Sequence, residues 1–455
     1  MNSYYVQKAL LPSGWTDNVR LVVSTDGEIT SVLADTKAEE SDIQLAGPMI
    51  PGMPNCHSHA FQRAFAGLSE YRTSTNDSFW SWRQLMYQFL DKLTPEDCYI
   101  IARQLYLEML KTGYTSVGEF HYLHNDINGS QFDNPAAMSH ALIQAAKDVG
   151  IRMTLLPVWY RYAGFGKQKP DEAQRRFILD QDQYFELIHG LSNEADNNDF
   201  IIGVAPHSLR AVDLEDLTSL ESKLNPGTPK HIHISEQKAE VVQCLEYVNQ
   251  TPIEYLYNSV DVNDSWTLIH ATHLTDSELN AVKKSRSVIG ICPTTEANLG
   301  DGILPCNVFD EDNPAIWSIG SDSHISVDAF EELRLLEYGQ RLSTHGRACI
   351  GNGEWLWQQA ISGGCQSLGY SGQLKAGARA DWLVINKDHV ALNAMPIEQL
   401  LDAAIFSNRI SAGSTNLVSE VYVNGQRQLH EQVHADEQSI SNQFQSRLKE
   451  ILCTL

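Results

Sequence analysis

Much of what this chain could be is ruled out by what it lacks. No apolar run approaches the roughly 18 residues of a membrane-spanning helix. The opening stretch MNSYYVQKALLPSG has neither the charged start nor the apolar centre of a secretory leader. The eight cysteines, at 56, 98, 244, 292, 306, 349, 365 and 453, form no CxxC pair and no closely spaced framework. They read as reduced thiols, and the chain as a cytoplasmic protein. Positive charge is scarce, with 33 Lys and Arg against 57 Asp and Glu and a net charge of −24. That balance opposes non-specific binding to nucleic acid or to an anionic membrane. An anionic small molecule would have to be met by individually placed arginines. Internal repeats and low-complexity segments are missing too. What remains is 42% hydrophobic and 20% charged over 455 residues, enough for one large barrel with a small satellite.

Eight apolar or β-branched runs organise the middle of the chain, at 49–53, 115–119, 152–158, 200–205, 231–235, 266–271, 288–292 and 315–320. Helix-like stretches such as 95–111, 135–149 and 239–248 fill most of the intervals. Eight βα units in sequence predict a (β/α)8 TIM-type barrel. Short turn-bounded strands lie at both ends of the chain, near 4–11, 19–24 and 29–33, and again at 380–385 and 418–425. They predict one small β-sandwich domain built from both termini. The division is then 1–46 and 366–435 for that domain, 47–365 for the barrel, and 436–455 for a closing helix. The interval from 61 to 91, with Trp80, Trp82 and Arg83, reads as an active-site loop.

Barrel active sites lie at the C-terminal ends of the strands, and titratable residues gather there. His57 and His59 follow the first run, at a spacing that puts both on one face of an extended strand. His121, Tyr122 and His124 follow the second, and Pro206-His207-Ser208-Leu209-Arg210 the fourth. The fifth carries His231, His233 and Glu236, the sixth ends in His270, and the eighth ends Gly320-Ser321-Asp322-Ser323-His324. His57, His59, His233 and Asp322 complement one another as ligands of one divalent metal ion, zinc being the natural choice for three imidazoles and a carboxylate. His231 reads as a packing residue one layer deeper. His121, His124, His273 and His324 read as solvated loop histidines, and Glu119 as either a buried paired carboxylate or a catalyst.

His57-x-His59, His233, His270 and Asp322 on strands one, five, six and eight resemble the amidohydrolase superfamily. The second run, Thr115-Ser116-Val117-Gly118-Glu119, offers no metal-bridging lysine, and His233-x-x-Glu236 resembles the mononuclear deaminase branch. Within it, PGMPNCHSHAFQRAFAGL, DSFWSWRQLMY, GYTSVGEFHYLH, APHSLR, HIHISEQ and IGSDSHIS are similar to the formimidoylglutamate deiminases.

That resemblance implies hydrolysis of N-formimidoyl-L-glutamate, a cationic amidine carrying two carboxylates, in histidine degradation. It implies Glu236 as the proton shuttle, with His270 and Asp322 orienting the attacking water. Gln62, Tyr122 and His207 fall on positions that help bind the substrate. Arg83 and Arg210 are the candidates for gripping the carboxylates, since a guanidinium pairs with a carboxylate in a bidentate fork. The products implied are N-formyl-L-glutamate and ammonia, although the ligand set by itself allows formamide to leave instead. A homodimer is expected. The rivals are a guanine- or cytosine-type ring deaminase with the same metal site, and a catalytically dead barrel acting as a scaffold.

Overall fold

The computed structural model describes residues 1–68, 86–195, 200–310, 312–407 and 416–454. Two parallel half-sheets form the centre. One runs in the order β10 (Ala205–Pro206), β8 (Arg152–Trp159), β7 (Tyr114–His121), β6 (Met53–Ser58), with β9 (Phe200–Ile202) also on β8. The other runs β11 (Lys230–Ile234), β12 (Trp266–His270), β13 (Val288–Ile291), β14 (Ile316–Ile319). Parallel bridges close both seams, Ser58 with Asp322 and Val204 with Lys230. The ring therefore has eight staves, as the alternating pattern predicts. Its outer layer is helical. The helix Pro95–Lys111 shows why: Thr94 and Asp97 close a capping box, Pro95 supplies a preset φ, and one face carries Ile101, Leu105 and Met109 into the core.

The strands from the two chain ends form one continuous sheet. Its order is β17 (Gln426–His430), β16 (Val418–Val423), β15 (Trp382–Ile385), β5 (Met49–Pro51), β1 (Asn2–Leu11), β2 (Gly14–Val23), β3 (Ile29–Leu33), with β4 (Ile43–Gln44) also on β1. Tyr4, Trp382 and Tyr422 pack edge and face at its centre. The sheet is locked to the barrel by Arg152 on β8, whose Nε and Nη2 donate to the two oxygens of Asp381 at 2.8 and 2.9 Å. Both side chains are buried, so removing either partner alone would cost about 3–5 kcal/mol.

Two expectations about the strands are corrected. The run 49–53 is not the first barrel strand: Met49–Pro51 pairs with β15 and β1 in the terminal sheet, and the barrel strand begins at Met53. The chain crosses at Gly52, where a Cβ would lie 2.2 Å from Thr115 Oγ1, so only glycine fits. The fourth run is broken at Gly203, leaving β9 and β10 as separate short strands. Near the C-terminus the helix Leu400–Phe406 had no sequence signal, whereas the closing helix is present as Glu437–Leu452. Arg447 on that last helix binds Asp97, and Lys111 binds Glu437, which fixes it along the Pro95–Lys111 helix.

Candidate active site

His57 lies on β6, His233 on β11 and Asp322 just beyond β14, while His59 sits one residue past β6 at the start of the 3-10 turn Ala60–Phe65. The close approach of β14 to β6 depends on Gly320, where a Cβ would meet the His57 backbone nitrogen at 2.9 Å. Asp322 Oδ1 lies 3.3 Å from His59 Nε2 and 3.6 Å from His57 Nε2, and His57 Nε2 lies 3.0 Å from His233 Nε2. All four residues are buried. Two of the rings are pinned from behind: His59 Nδ1 donates to Phe120 O at 2.8 Å, and His233 Nδ1 to His207 O at 3.1 Å. Those bonds put the ring proton on Nδ1 and turn the Nε2 lone pair inward. The lone pair of His59 then faces a carboxylate oxygen at 3.3 Å, acceptor against acceptor. A cation between them is what makes such a pair favourable, so the donor set fits a divalent metal.

The electrostatics agree. Burial, followed by the neighbouring imidazoles, holds His57 and His233 well below the ordinary histidine range, and burial takes His59 down to about 3. Neutral imidazole is the ligating form. His270 goes the other way. Burial opposes its charge, but Glu236, Glu296 and Asp322 outweigh that and raise it to about 10. Its Nε2 lies 3.9 Å from Glu236 Oε1 and 3.7 Å from Asp322 Oδ2. Burial raises Asp322 to about 7, with His270 opposing and Glu236 and Glu296 adding to the rise.

Ser235, His270, Ala271, Asp322 and His324 all have positive φ, between 45° and 70°. Non-glycine residues avoid that region, and strain of this kind concentrates at functional sites.

A cavity opens over the cluster, lined by His59, Gln62, Tyr122, Tyr160, Phe177, His207, Arg210, His233, Glu236, His270, Thr295 and Asp322. Every described site residue expected from the sequence borders it except His57, which is wholly buried beneath. Gln62 Nε2 donates to Tyr122 OH at 3.0 Å. Arg210 has a buried Nε with no hydrogen-bond partner among the described residues. Arg83, Trp80 and Trp82 lie outside the described residues. Size does not mark this cavity, about 70 Å³. A larger one of about 470 Å³ beside Arg63, Lys111, Asp328 and Glu437 borders none of the candidate residues.

Three of the four histidines expected in solvent are buried: His121, His124 and His324, while His273 is half-buried. His324 Nε2 accepts from the His59 backbone N–H at 3.2 Å and its Nδ1 meets Ser321 Oγ at 3.0 Å, so it fastens the strand-eight turn to the metal-side loop. His124 Nε2 donates to Val158 O at 2.8 Å. His231 Nε2 donates to Ser367 O at 2.9 Å, below the cluster. Glu119 is a paired carboxylate, accepting from Ser58 Oγ at 2.6 Å, Ala60 N at 2.7 Å and Tyr106 OH at 3.2 Å. Sequence reasoning missed Tyr160, Phe177 and Thr295 on the cavity wall, and Glu296 behind His270. The first two are ordinary aromatic residues in a loop-rich stretch and carried no signal. Glu296 stood four residues past a strand end, where an acid could have been suspected.

Comparison with known proteins is consistent from end to end. Residues 49–427 match the model of the amidohydrolase family, and residues 1–44 match that described as "Formimidoylglutamate deiminase HutF, N-terminal domain". A formimidoylglutamate deiminase of Pseudomonas aeruginosa is 42% identical over 459 residues, covering 99% of this chain and 100% of that one. The crystal structure of an amidohydrolase from Brucella melitensis superposes with a TM-score of 0.93 at 38% identity, over 99% of this chain and 100% of the other. An adenosine deaminase from Xanthomonas campestris with bound zinc shares the fold at a TM-score of 0.78 and 19% identity, over 98% of each chain.

Proposed function

This chain belongs to the amidohydrolase family, and from that premise we propose that it hydrolyses N-formimidoyl-L-glutamate to N-formyl-L-glutamate and ammonia, a step of histidine degradation. One juxtaposition carries the reading. A guanidinium whose Nε has no partner among the described residues, Arg210, shares a cavity with an imidazole and carboxylate cluster, on a chain alike over its whole length to a formimidoylglutamate deiminase.

His57, His59, His233 and Asp322 would hold one divalent ion, zinc by ligand type, and it would supply a Lewis-acid centre that acidifies a water for attack. Glu236, on the cavity side of His270, takes the proton of that water. His270 and Asp322 orient the oxygen by hydrogen bonding. The oxygen adds to the formimidoyl carbon, the proton passes through Glu236 to the terminal nitrogen, and the carbon–nitrogen bond to that nitrogen breaks. Arg210 and Arg83 grip the two carboxylates, and Gln62, Tyr122 and His207 set the chain of the substrate between them. Tyr122, Tyr160 and Phe177 give the cavity an aromatic wall, which suits a cationic amidine through its π faces.

That wall also suits a flat base, so the ring-deaminase reading keeps one observation in its favour. Arginine pairing with carboxylates separates the two. The test is to incubate the metal-loaded protein with N-formimidoyl-L-glutamate, guanine and cytosine and to quantify ammonia, N-formylglutamate and formamide. Ammonia and N-formylglutamate in equal amounts from the amidine are expected. Formamide and glutamate, or turnover only of a base, would replace this reading. Cytoplasmic location and a homodimer belong to the same proposal, and light scattering on the purified protein checks the second. Among the described residues no helix is long and apolar enough to cross a membrane.

A further inference from the structure

The ring of His270 stands at the end of β12 on backbone that its own residue type disfavours, with φ of 70° at His270 and 50° at Ala271. Its orientation is set from the neighbouring stave. The helix Pro293–Leu299 begins directly after β13, and Glu296 on it is 5% exposed. One oxygen, Glu296 Oε1, accepts from His270 Nδ1 at 3.2 Å and from the Cys292 backbone N–H at 2.9 Å. The residue that carries it is itself held in place, because Cys292 is the cap of that helix and Asp301 N–H donates to the main-chain carbonyl of Glu296 at 3.0 Å. With Nδ1 committed to Glu296, Nε2 is left facing Glu236 Oε1 and Asp322 Oδ2, at 3.9 and 3.7 Å.

We propose that Glu296 is a positioning residue: by holding His270 Nδ1–H it keeps Nε2 aimed between Glu236 and Asp322. The inference rests on the hydrolytic reading above for its effect on rate, though not for the hydrogen bond itself. A helix cap alone would explain the bond to Cys292. It would not explain why the same buried oxygen also meets His270, an imidazole on the cavity that the proposed ligand set does not use. Among the described residues no other hydrogen bond to that ring is present within 3.5 Å.

Two variants separate positioning from mere support. Glu296→Ala removes both hydrogen bonds. Glu296→Gln keeps an oxygen that can accept both. Loss of an orienting partner behind a metal site typically costs about 10- to 100-fold. For Glu296→Ala, kcat should fall by about that factor, with KM and the bound metal little changed. Glu296→Gln should recover most of the lost kcat. Independently of turnover, nitrogen-15 histidine NMR should show a slowly exchanging Nδ1–H of His270, assigned by its loss in His270→Asn. That signal should be absent in Glu296→Ala and present in Glu296→Gln. The proposal is overturned if Glu296→Ala keeps its kcat or its Nδ1–H signal, if its activity falls only in step with metal content, or if Glu296→Gln is no better than alanine. Should the protein not act on formimidoylglutamate at all, the NMR comparison still decides the hydrogen bond, and the kinetic one is run on whichever substrate the product assay identifies.

Discussion

Two regions meet in the cavity, and they are built in different ways. The end proposed to hold the metal has His57 and His233 on strands, His59 one residue past β6 and Asp322 three past β14, and two of its rings are pinned by main-chain carbonyls, Phe120 O behind His59 and His207 O behind His233. The end proposed to meet the substrate has no residue on a strand: Tyr122 and His207 come one residue past β7 and β10, and Gln62 and Arg210 four past β6 and β10. Gln62 reaches Tyr122 from side chain to side chain, and Arg210 Nε has no partner among the described residues. Backbone anchoring makes a geometry that a change of substrate cannot disturb. Side-chain anchoring leaves the other end free to vary with what must be recognised. On the proposed roles, the barrel would keep its chemistry rigid and place its selectivity on loops.

The largest effect expected comes from breaking the rigid end. His233→Ala should lose most of the bound metal, since three remaining ligands leave the set incomplete. A Lewis acid contributes several kcal/mol, so activity should fall about 10³-fold or more at 1.36 kcal/mol per decade. Metal analysis by mass spectrometry and an ammonia assay check both halves, and full occupancy in the variant would remove His233 from the ligand set.

Glu236 stands where the two ends touch. Glu236→Gln preserves shape and metal but cannot shuttle a proton, so kcat should drop by about 10²- to 10⁴-fold with metal content unchanged. Normal turnover would make Glu236 a structural residue and send the search for the base elsewhere.

A smaller effect comes from a histidine that belongs to neither end. Burial depresses His124 to about 4, against an ordinary value of 6.5. As pH falls, the unfolded chain gains this proton first, so the neutral buried ring costs stability between pH 6.5 and about 4 and costs nothing more above that window. Other groups titrate there too, so the comparison is with His124→Gln, whose amide can replace the bond to Val158 O. The stability of the wild type should fall more steeply than that of the variant, by about 1.4 kcal/mol per pH unit. Parallel curves from urea unfolding would mean that the ring is solvated.

The same division explains what the sequence disclosed. Period and strand-end position are written in the chain, so His57, His59, His233, His270 and Asp322 could be located on one rim before any coordinates. The error at 49–53 arose because two consecutive strands, one in each sheet, join through a single glycine with no change in hydrophobicity. His121, His124 and His324 were misread because polar residues at strand ends resemble solvated loops in sequence. Burial under a neighbouring segment is a tertiary fact. Glu296 was missed for a similar reason, since its partner His270 is 26 residues away in sequence. Gln62, Tyr122 and His207 were given a binding role only through resemblance, because no periodicity marks a loop residue for binding.

The most direct measurement of that two-region account is a pair of kcat/KM values for wild type and Arg210→Met. One substrate is N-formimidoyl-L-glutamate and the other a formamidine lacking both carboxylates. A guanidinium removed from a desolvated carboxylate costs roughly 2–5 kcal/mol, or about 30- to several-thousand-fold. The account predicts that loss on the dicarboxylate alone, with metal content unchanged and the truncated amidine turned over equally by both proteins. Equal losses on the two substrates would contradict it, because Arg210 would then be supporting the metal end rather than reading the substrate.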